Sequence, residues 1–331
     1  REALDFLRAR AERRTDIDEA EKLVGRIAAI AEAPEEKRDL MVTRARMLSE
    51  GLGRPKEAIE VLRVVVSEVD PAHLEALGEL GDLCAEVGDV EGTADALERT
   101  LEVLEDPGLR VPVAQRLADI EEQELHRVGK AIEALNAWSE SDLGDPIPHR
   151  RLVPLYEKAE RWNELVASLD SLADLEEDDA AVSAATRRAA EIAHQKLSDV
   201  DGAWSRLEPR LGLEDTAAET QLRELARAAS RGAQLAELYS TIAPDSDEPE
   251  EQARRWMDAA AVREQYLFDA PGALEGVLRA FAIDLTDERY LAEADRLAPL
   301  ANDWPRLAQV YETLVRKTED KPARMRLLLR H

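Results

Sequence analysis

The chain has 331 residues, with 71 acidic and 44 basic side chains and a net charge of −27 at pH 7. This charge disfavours binding to nucleic acid or to an anionic membrane, because the chain would approach a polyanion against its own field. The single cysteine, Cys84, excludes an intrachain disulfide framework. No apolar run reaches the ~18 residues of a membrane span. The sequence therefore predicts neither a nucleic-acid partner nor direct membrane insertion.

Apolar residues recur along the chain at helical spacing, as at Leu77, Leu80 and Cys84. Steps of three and four residues are typical of amphipathic helices. Gly88 and Asp89 follow as a helix stop and an N-cap. β-branched and aromatic residues do not alternate in short runs bounded by turns, so strands are not expected. The chain is predicted to be all-α.

These helices fall into pairs that repeat every ~36 residues, a period typical of stacked helix pairs. We predict nine pairs and a truncated tenth that begins near Lys321, so the chain is interpreted as a fragment of a longer protein. In chain order the predicted pairs span residues 1–33, 35–70, 72–107, 109–145, 147–177, 178–213, 215–245, 248–285 and 287–320.

A second, longer period indicates that two types of pair alternate. Four alanines at the start of a buried second-helix face recur every 70 to 73 residues: Ala58, Ala131, Ala203 and Ala273. The intervening pairs carry another series at intervals of 70 to 72 residues: Leu23, Ala94, Leu165, Leu235 and Leu307. This spacing is expected if a unit of two pairs was duplicated.

Several pairs resemble the tetratricopeptide repeat (TPR). The first helix of the third pair matches four positions of the repeat pattern. Leu77 and Leu80 occupy its two large positions, Gly81 its glycine position and Cys84 its aromatic position. The second pair matches the turn with Gly53-Arg54-Pro55, and the fifth carries Leu152, Tyr156 and Trp162 at equivalent places. The sequence departs from the pattern where Thr93, Leu165 and Leu235 replace the usual small alanine. Pro154 also falls inside a first helix, which we expect to bend or to start only near Val153.

The resemblance implies a right-handed α-solenoid of stacked antiparallel helix pairs, continuous from residue 1 to residue 331. One pair cannot bury its apolar face alone, so each pair completes its core on the next. Such a linear core forms no enclosed reaction chamber. Metal-binding histidine pairs and phosphate-binding loops are absent from the sequence, and two acidic clusters, Glu176–Asp179 and Asp245–Glu248, are interpreted as helix-capping turns. We expect no catalytic site, no cofactor and no metal.

In the TPR family the first helices line a concave face that binds peptides. The resemblance places five candidate binding residues on this face: Glu75, Asp82, Glu86, Arg150 and Glu157. An acidic groove would favour a basic protein or peptide partner; alternatively, the acidic residues cover every face and serve solubility.

We predict a non-catalytic protein-interaction scaffold. The alternatives are a self-assembling subunit, as a homo-oligomer or filament, and the regulatory arm of a larger enzyme. The cytoplasm is the default compartment, and the preference for arginine over lysine indicates a bacterial source.

Overall fold

The computed structural model describes residues 6, 8, 9, 16–213, 215–246, 248–284 and 287–317. These residues are helical or lie in turns, and they form no strand. The chain groups into two compact units, Arg1–Asp178 (unit 1) and Asp179–His331 (unit 2). The predicted tenth pair, and most of the first helix of the first pair, lie outside the described residues.

Unit 1 is a succession of nine described helices in which each helix packs on the next along the chain. Three of them, α2, α3 and α6, continue into π-helical turns at Met47–Gly51, Val65–Val69 and Ile120–Glu124. The helices are α1 (Ile17–Ala29), α2 (Pro34–Arg46), α3 (Pro55–Val64), α4 (Leu74–Glu86), α5 (Val90–Val103), α6 (Pro107–Asp119), α7 (Val128–Ser141), α8 (Ile147–Lys158) and α9 (Trp162–Leu175).

Unit 2 repeats this arrangement with eight described helices, again packed in chain order. Short 3₁₀ turns, Glu208–Gly212 and Ala243–Asp245, follow α11 and α13. The helices are α10 (Asp179–Gln195), α11 (Val200–Leu207), α12 (Thr216–Ala228), α13 (Gly232–Ile242), α14 (Pro249–Leu267), α15 (Ala270–Ile283), α16 (Glu288–Ala301) and α17 (Trp304–Lys317). Even-numbered helices are the first helices of their pairs, and odd-numbered helices are the second.

The predicted fold class is confirmed: the chain is an all-α, TPR-like succession of stacked helix pairs. The described boundaries agree with the predicted pairs to within a few residues. Right-handedness and continuity of one solenoid from residue 1 to residue 331 stay predictions.

One buried position fixes the register of the second helices. It lies four residues after the N-cap, its amide donates to the carbonyl of the capping residue, and its side chain is at most 4% exposed. The sequence analysis placed Leu23 and Ala94 in this series. Leu23 lies three residues after the buried position of its helix, and Ala94 lies one residue after that of its own helix. From the second pair onward, alanine alternates here with a larger residue. The nine residues are Ala20, Ala58, Thr93, Ala131, Leu165, Ala203, Leu235, Ala273 and Leu307.

The turns within the pairs alternate in the same way. In each turn from the second to the ninth pair, the residue before the N-cap has a positive φ, between 53° and 77°. In even-numbered pairs the amide of the N-cap residue donates to the carbonyl six residues earlier, as Arg54 does to Leu48. In odd-numbered pairs it donates to the carbonyl five residues earlier, as Asp89 does to Cys84. The longer sequence period therefore has a backbone counterpart: a turn with one additional residue in every second pair.

Pro154 does not delay the start of its helix. Helix α8 begins at Ile147, whose amide donates to Asp145 Oδ1 at 2.9 Å. Pro154 is exposed, and its missing amide costs one hydrogen bond, to the carbonyl of Arg150. The expectation of a start near Val153 was wrong, because the helix has already begun at Ile147, next to the N-cap Pro146, with its first amide bonded to Asp145.

Candidate functional site

Arginine–carboxylate bridges connect consecutive first helices of unit 1. Arg46 on α2 reaches Glu75 on α4, with Nη2 2.5 Å from Oε1. Arg116 on α6 reaches back to Asp82 on α4 at 3.0 Å. Arg151 on α8 bonds to Asp119 on α6 at 2.9 Å. Each of the three junctions between first helices that the structure describes in this unit is therefore crossed by at least one ion pair.

Two junctions of unit 2 are crossed in the same way. Arg223 Nη2 on α12 lies 2.6 Å from Asp258 Oδ1 on α14. Arg296 Nη2 on α16 lies 2.6 Å from Glu264 Oε2 on α14. We call the surface formed in each unit by the outward side chains of the first helices the first-helix face.

The α12–α14 junction also contains a buried charge network. Glu219 accepts hydrogen bonds from Tyr239 Oη at 2.8 Å, from Arg223 at 2.9 Å and from Arg255 at 3.2 Å. Arg255 also donates to the carbonyl of Leu211 at 2.7 Å. Burial acts to raise the pKa of Glu219, but these donors hold it below its ordinary value. Burial raises the pKa of Asp258, against the opposing effect of Arg223.

The α10–α12 junction is different, because within the described part of unit 2 no ion pair crosses it. The two helices are connected there by Gln221, whose Nε2 donates to the carbonyl of Arg187 at 2.9 Å. An open groove of about 600 Å³ lies between the helices. We call it the α10–α12 groove; α10 contributes Ala184, Arg187, Arg188, Glu191 and Gln195, and α12 contributes Ala217, Thr220, Gln221 and Glu224.

Helical periodicity places these side chains in the groove. Helix α12 buries Ala218, Leu222 and Leu225, so residues on its opposite side face outward. Its N-terminus is fixed by Asp215, whose Oδ1 accepts from the Ala218 amide at 2.9 Å. Helix α10 likewise buries Ala185 and Ala189. Ala184 and Ala217 line the groove with small side chains, which leaves it open beside Arg187 and Gln221.

Opposite charges lie one helical turn apart along the groove. Arg187 marks the arginine level of the groove, and Glu191 and Glu224 form its glutamate level. Arg187 Nε donates to Ser183 Oγ at 3.3 Å, and Glu191 accepts from Gln195 at 3.3 Å. Among the described residues, neither Arg187 nor Glu224 takes part in an ion pair. These two charges are therefore available to a ligand.

The five residues chosen from the sequence do not converge on one site. Glu75 and Asp82 lie on the first-helix face, but both are bonded to arginines, and Arg46 lowers the pKa of Glu75. Glu86 and Glu157 are exposed near the ends of α4 and α8. Arg150 pairs with Glu176, at the end of its own helix pair, at 2.7 Å.

The sequence analysis missed the groove residues. The available signal was the outward pair Ala184 and Ala217, two small side chains on consecutive first helices. Among the described residues, no group of three potential metal-ligating side chains was found. No described helix is both long and apolar enough to cross a membrane.

Comparison with known proteins found no matching family model and no matching curated protein. Solved structures do match. The P58(IPK) TPR domain is 13% identical, with 99% of this chain and 98% of that chain covered and a TM-score of 0.28. YrrB, a TPR protein with an unusual peptide-binding site, is 14% identical over 57% of this chain and 94% of its own, with a TM-score of 0.30. MamA is 19% identical, with 54% of this chain and 92% of that chain covered and a TM-score of 0.30.

These proteins are what the chain is similar to. The TPR-like assignment rests on the chain's own helix pairs, caps and turns.

Proposed function

We propose that the chain is a non-catalytic scaffold that binds a segment of another protein on its first-helix face, at the α10–α12 groove. The observation that carries this proposal is the contrast between junctions. Ion pairs cross five of the six first-helix junctions described within the two units, whereas the sixth is an open groove of about 600 Å³. That volume lies within the ~300–1,000 Å³ range of ligand sites in proteins.

The groove chemistry suits binding more than catalysis. Glu191 and Glu224 are exposed, so water screens their charges, and the groove is open along its length. The side-chain oxygens of Thr220, Gln221 and Gln195 can accept hydrogen bonds from the main-chain amides of a peptide. Charged and amide groups around small side chains form a surface that a polypeptide segment can occupy.

The charge of the chain supports a basic partner. Unit 1 carries 23 basic and 43 acidic residues, which gives a net charge of −20. Unit 2 carries 21 basic and 28 acidic residues, which gives a net charge of −7. This field accelerates encounter with a positively charged protein at low ionic strength. The acidic pair Glu75 and Asp82 is a weaker candidate for direct contact, because a basic ligand would have to displace Arg46 and Arg116.

Self-association is the second candidate, and exposed apolar side chains in unit 2 favour it. Phe268 is 88% exposed at a turn position with φ 56°, where other pairs carry glycine or a polar residue. Leu267, Leu300 and Trp304 are also exposed. Ion pairs Glu264–Arg296 and Glu275–Arg306 flank these two turns, so the four apolar side chains share one edge of the unit.

Two tryptophan variants test the groove. Ala217→Trp fills it, and Ala233→Trp adds the same side chain at an exposed position of α13 outside it. We expect peptides selected on the wild-type chain to lose binding to Ala217→Trp and to keep it with Ala233→Trp. Equal binding to both variants would contradict the proposal. Light scattering of the wild type and Phe268→Ser tests the second candidate, since a monomer in both cases excludes it.

A further inference from the structure

We propose that the segment bound by the α10–α12 groove is extended and carries an acidic and a basic residue two positions apart. The acidic side chain pairs with the arginine level, and the basic side chain pairs with the glutamate level. This inference rests on the proposed function and specifies its ligand.

The spacing of the two levels leads to this pattern. Arg187 and Glu191, like Thr220 and Glu224, are four residues apart on a helix, a rise of ~6 Å. In an extended peptide, residues i and i+2 lie on the same side and are ~7 Å apart. Residues i and i+1 point to opposite sides, and residues i and i+4 are ~13 Å apart, so neither spacing reaches both levels.

The walls of the groove keep the two levels in register. The bond from Gln221 Nε2 to the carbonyl of Arg187 aligns α12 with α10 at the arginine level. One turn further along both helices, Glu191 and Glu224 then lie opposite each other. Ala184 and Ala217 leave room beside the arginine level, so the Arg187 guanidinium group can approach a carboxylate that enters from that end.

Because charge is present at both levels, we expect a peptide with charges of a single sign to bind less well. A purely basic segment is attracted by the net charge of the chain, but it places a cation against Arg187. A purely acidic segment meets Glu191 and Glu224. An acid–x–base segment, in which x is any residue, satisfies both levels, in either chain direction. The long-range field then speeds encounter, while the groove selects the local sequence.

The test is a selection from a random octapeptide library displayed on phage, with the full chain immobilised. The sequences that are kept bind the wild type and the Ala233→Trp variant but do not bind Ala217→Trp. We expect acid–x–base to be enriched among them. With one such synthetic peptide, Arg187→Gln should weaken binding about tenfold, whereas Arg187→Lys should weaken it less. Arg187→Glu should change the enriched pattern to base–x–base.

The outcomes separate the two proposals. If no peptide discriminates Ala217→Trp from the wild type, the groove is not a binding site and both proposals fail. If groove-dependent peptides are found but show another spacing, such as an i and i+4 helical pattern, the acid–x–base inference alone is wrong. The same holds if Arg187→Glu leaves the selected sequences unchanged. Thermal melting of each variant excludes loss of folding as the reason for lost binding.

Discussion

The two units use the same kind of contact between first helices but place it in different surroundings. In unit 1 the bridge from Arg116 to Asp82 is exposed, with 44% and 75% of the side chains accessible. In unit 2 the pair Arg255 and Glu219 is 3% and 10% accessible. Exposed bridges contribute little because water and salt screen them, whereas a buried pair must keep its geometry to offset the cost of desolvation.

This difference matters because α12 is shared between the buried network and the α10–α12 groove. Glu219 and Arg223 hold one side of the helix against α13 and α14 through Tyr239 and Asp258. Thr220 and Glu224 form the opposite side, in the groove. The network therefore fixes the position of one groove wall. Unit 1 has a similar bridge pattern on the surface but, among its described residues, no equivalent buried support at these junctions.

Removal of an arginine should distinguish the two units most strongly. Arg255→Ala breaks the buried ion pair with Glu219, which keeps Tyr239 and Arg223 as donors, and removes the donor to the Leu211 carbonyl. We expect a loss of ~3–5 kcal/mol in the free energy of unfolding. Arg116→Ala, the matched change in unit 1, should cost at most ~1 kcal/mol. Urea denaturation of the full chain measures both. A similar loss in the two variants would show that burial does not separate the two kinds of bridge.

Two helical glycines provide a test of packing with a smaller effect. A Cβ at Gly276 in unit 2 would lie 3.0 Å from the backbone oxygen of Trp256, whereas one at Gly81 in unit 1 would meet Ala96 Cβ at 3.5 Å. Gly276→Ala should therefore destabilise the chain by ~1–3 kcal/mol. Gly81→Ala should be neutral or stabilise by up to ~1 kcal/mol.

A leucine side chain is too large for the space between Gly81 and Ala96, so Gly81→Leu should lower the free energy of unfolding by ~1–3 kcal/mol. Thermal melting of the three glycine variants measures these effects. Unchanged stability of Gly276→Ala, or a clear loss in Gly81→Ala, would contradict the packing described for the two helices.

The fold was predictable because it depends on local periodicity. Leu77, Leu80 and Cys84 already showed the buried face of α4, and the alanines at 58, 131, 203 and 273 proved to share one buried position. The series with Leu23 and Ala94 was out of register, because neighbouring residues in an alanine- and leucine-rich helix fit the pattern almost equally well. The caps at Asp16 and Asp89 resolve this ambiguity.

The site was less predictable because it depends on which arginine meets which acid about 34 residues away. Sequence position identified Glu75 and Asp82 as outward residues, but not that Arg46 and Arg116 neutralise them. The groove arises where such a partner is missing, between Arg187 and Gln221. Pairing across repeats follows from side-chain reach and rotamer, which a one-dimensional pattern does not record.

The smallest predicted effect concerns the pH dependence of unit 2. The folded pKa of Asp258 is raised by burial, so its contribution to stability is present below its unfolded pKa and is lost as the pH rises through its folded pKa. Arg223, Arg254, Glu219 and Tyr239 are the charged and titratable groups that act on it.

Asp258→Asn cannot take up this proton. The destabilisation of the variant relative to the wild type should therefore be greater at pH 4, close to the ordinary pKa of 3.8, than at pH 7, by up to ~1.4 kcal/mol for each unit by which the pKa is raised. The effect of Glu219 has the opposite sign, since its pKa is lowered and its contribution is lost only as the pH falls through the folded pKa. Urea denaturation at pH 7 and pH 4 measures the difference. A variant that is more destabilised at pH 7 would show that the ion pair with Arg223, and not burial, determines the ionisation of Asp258.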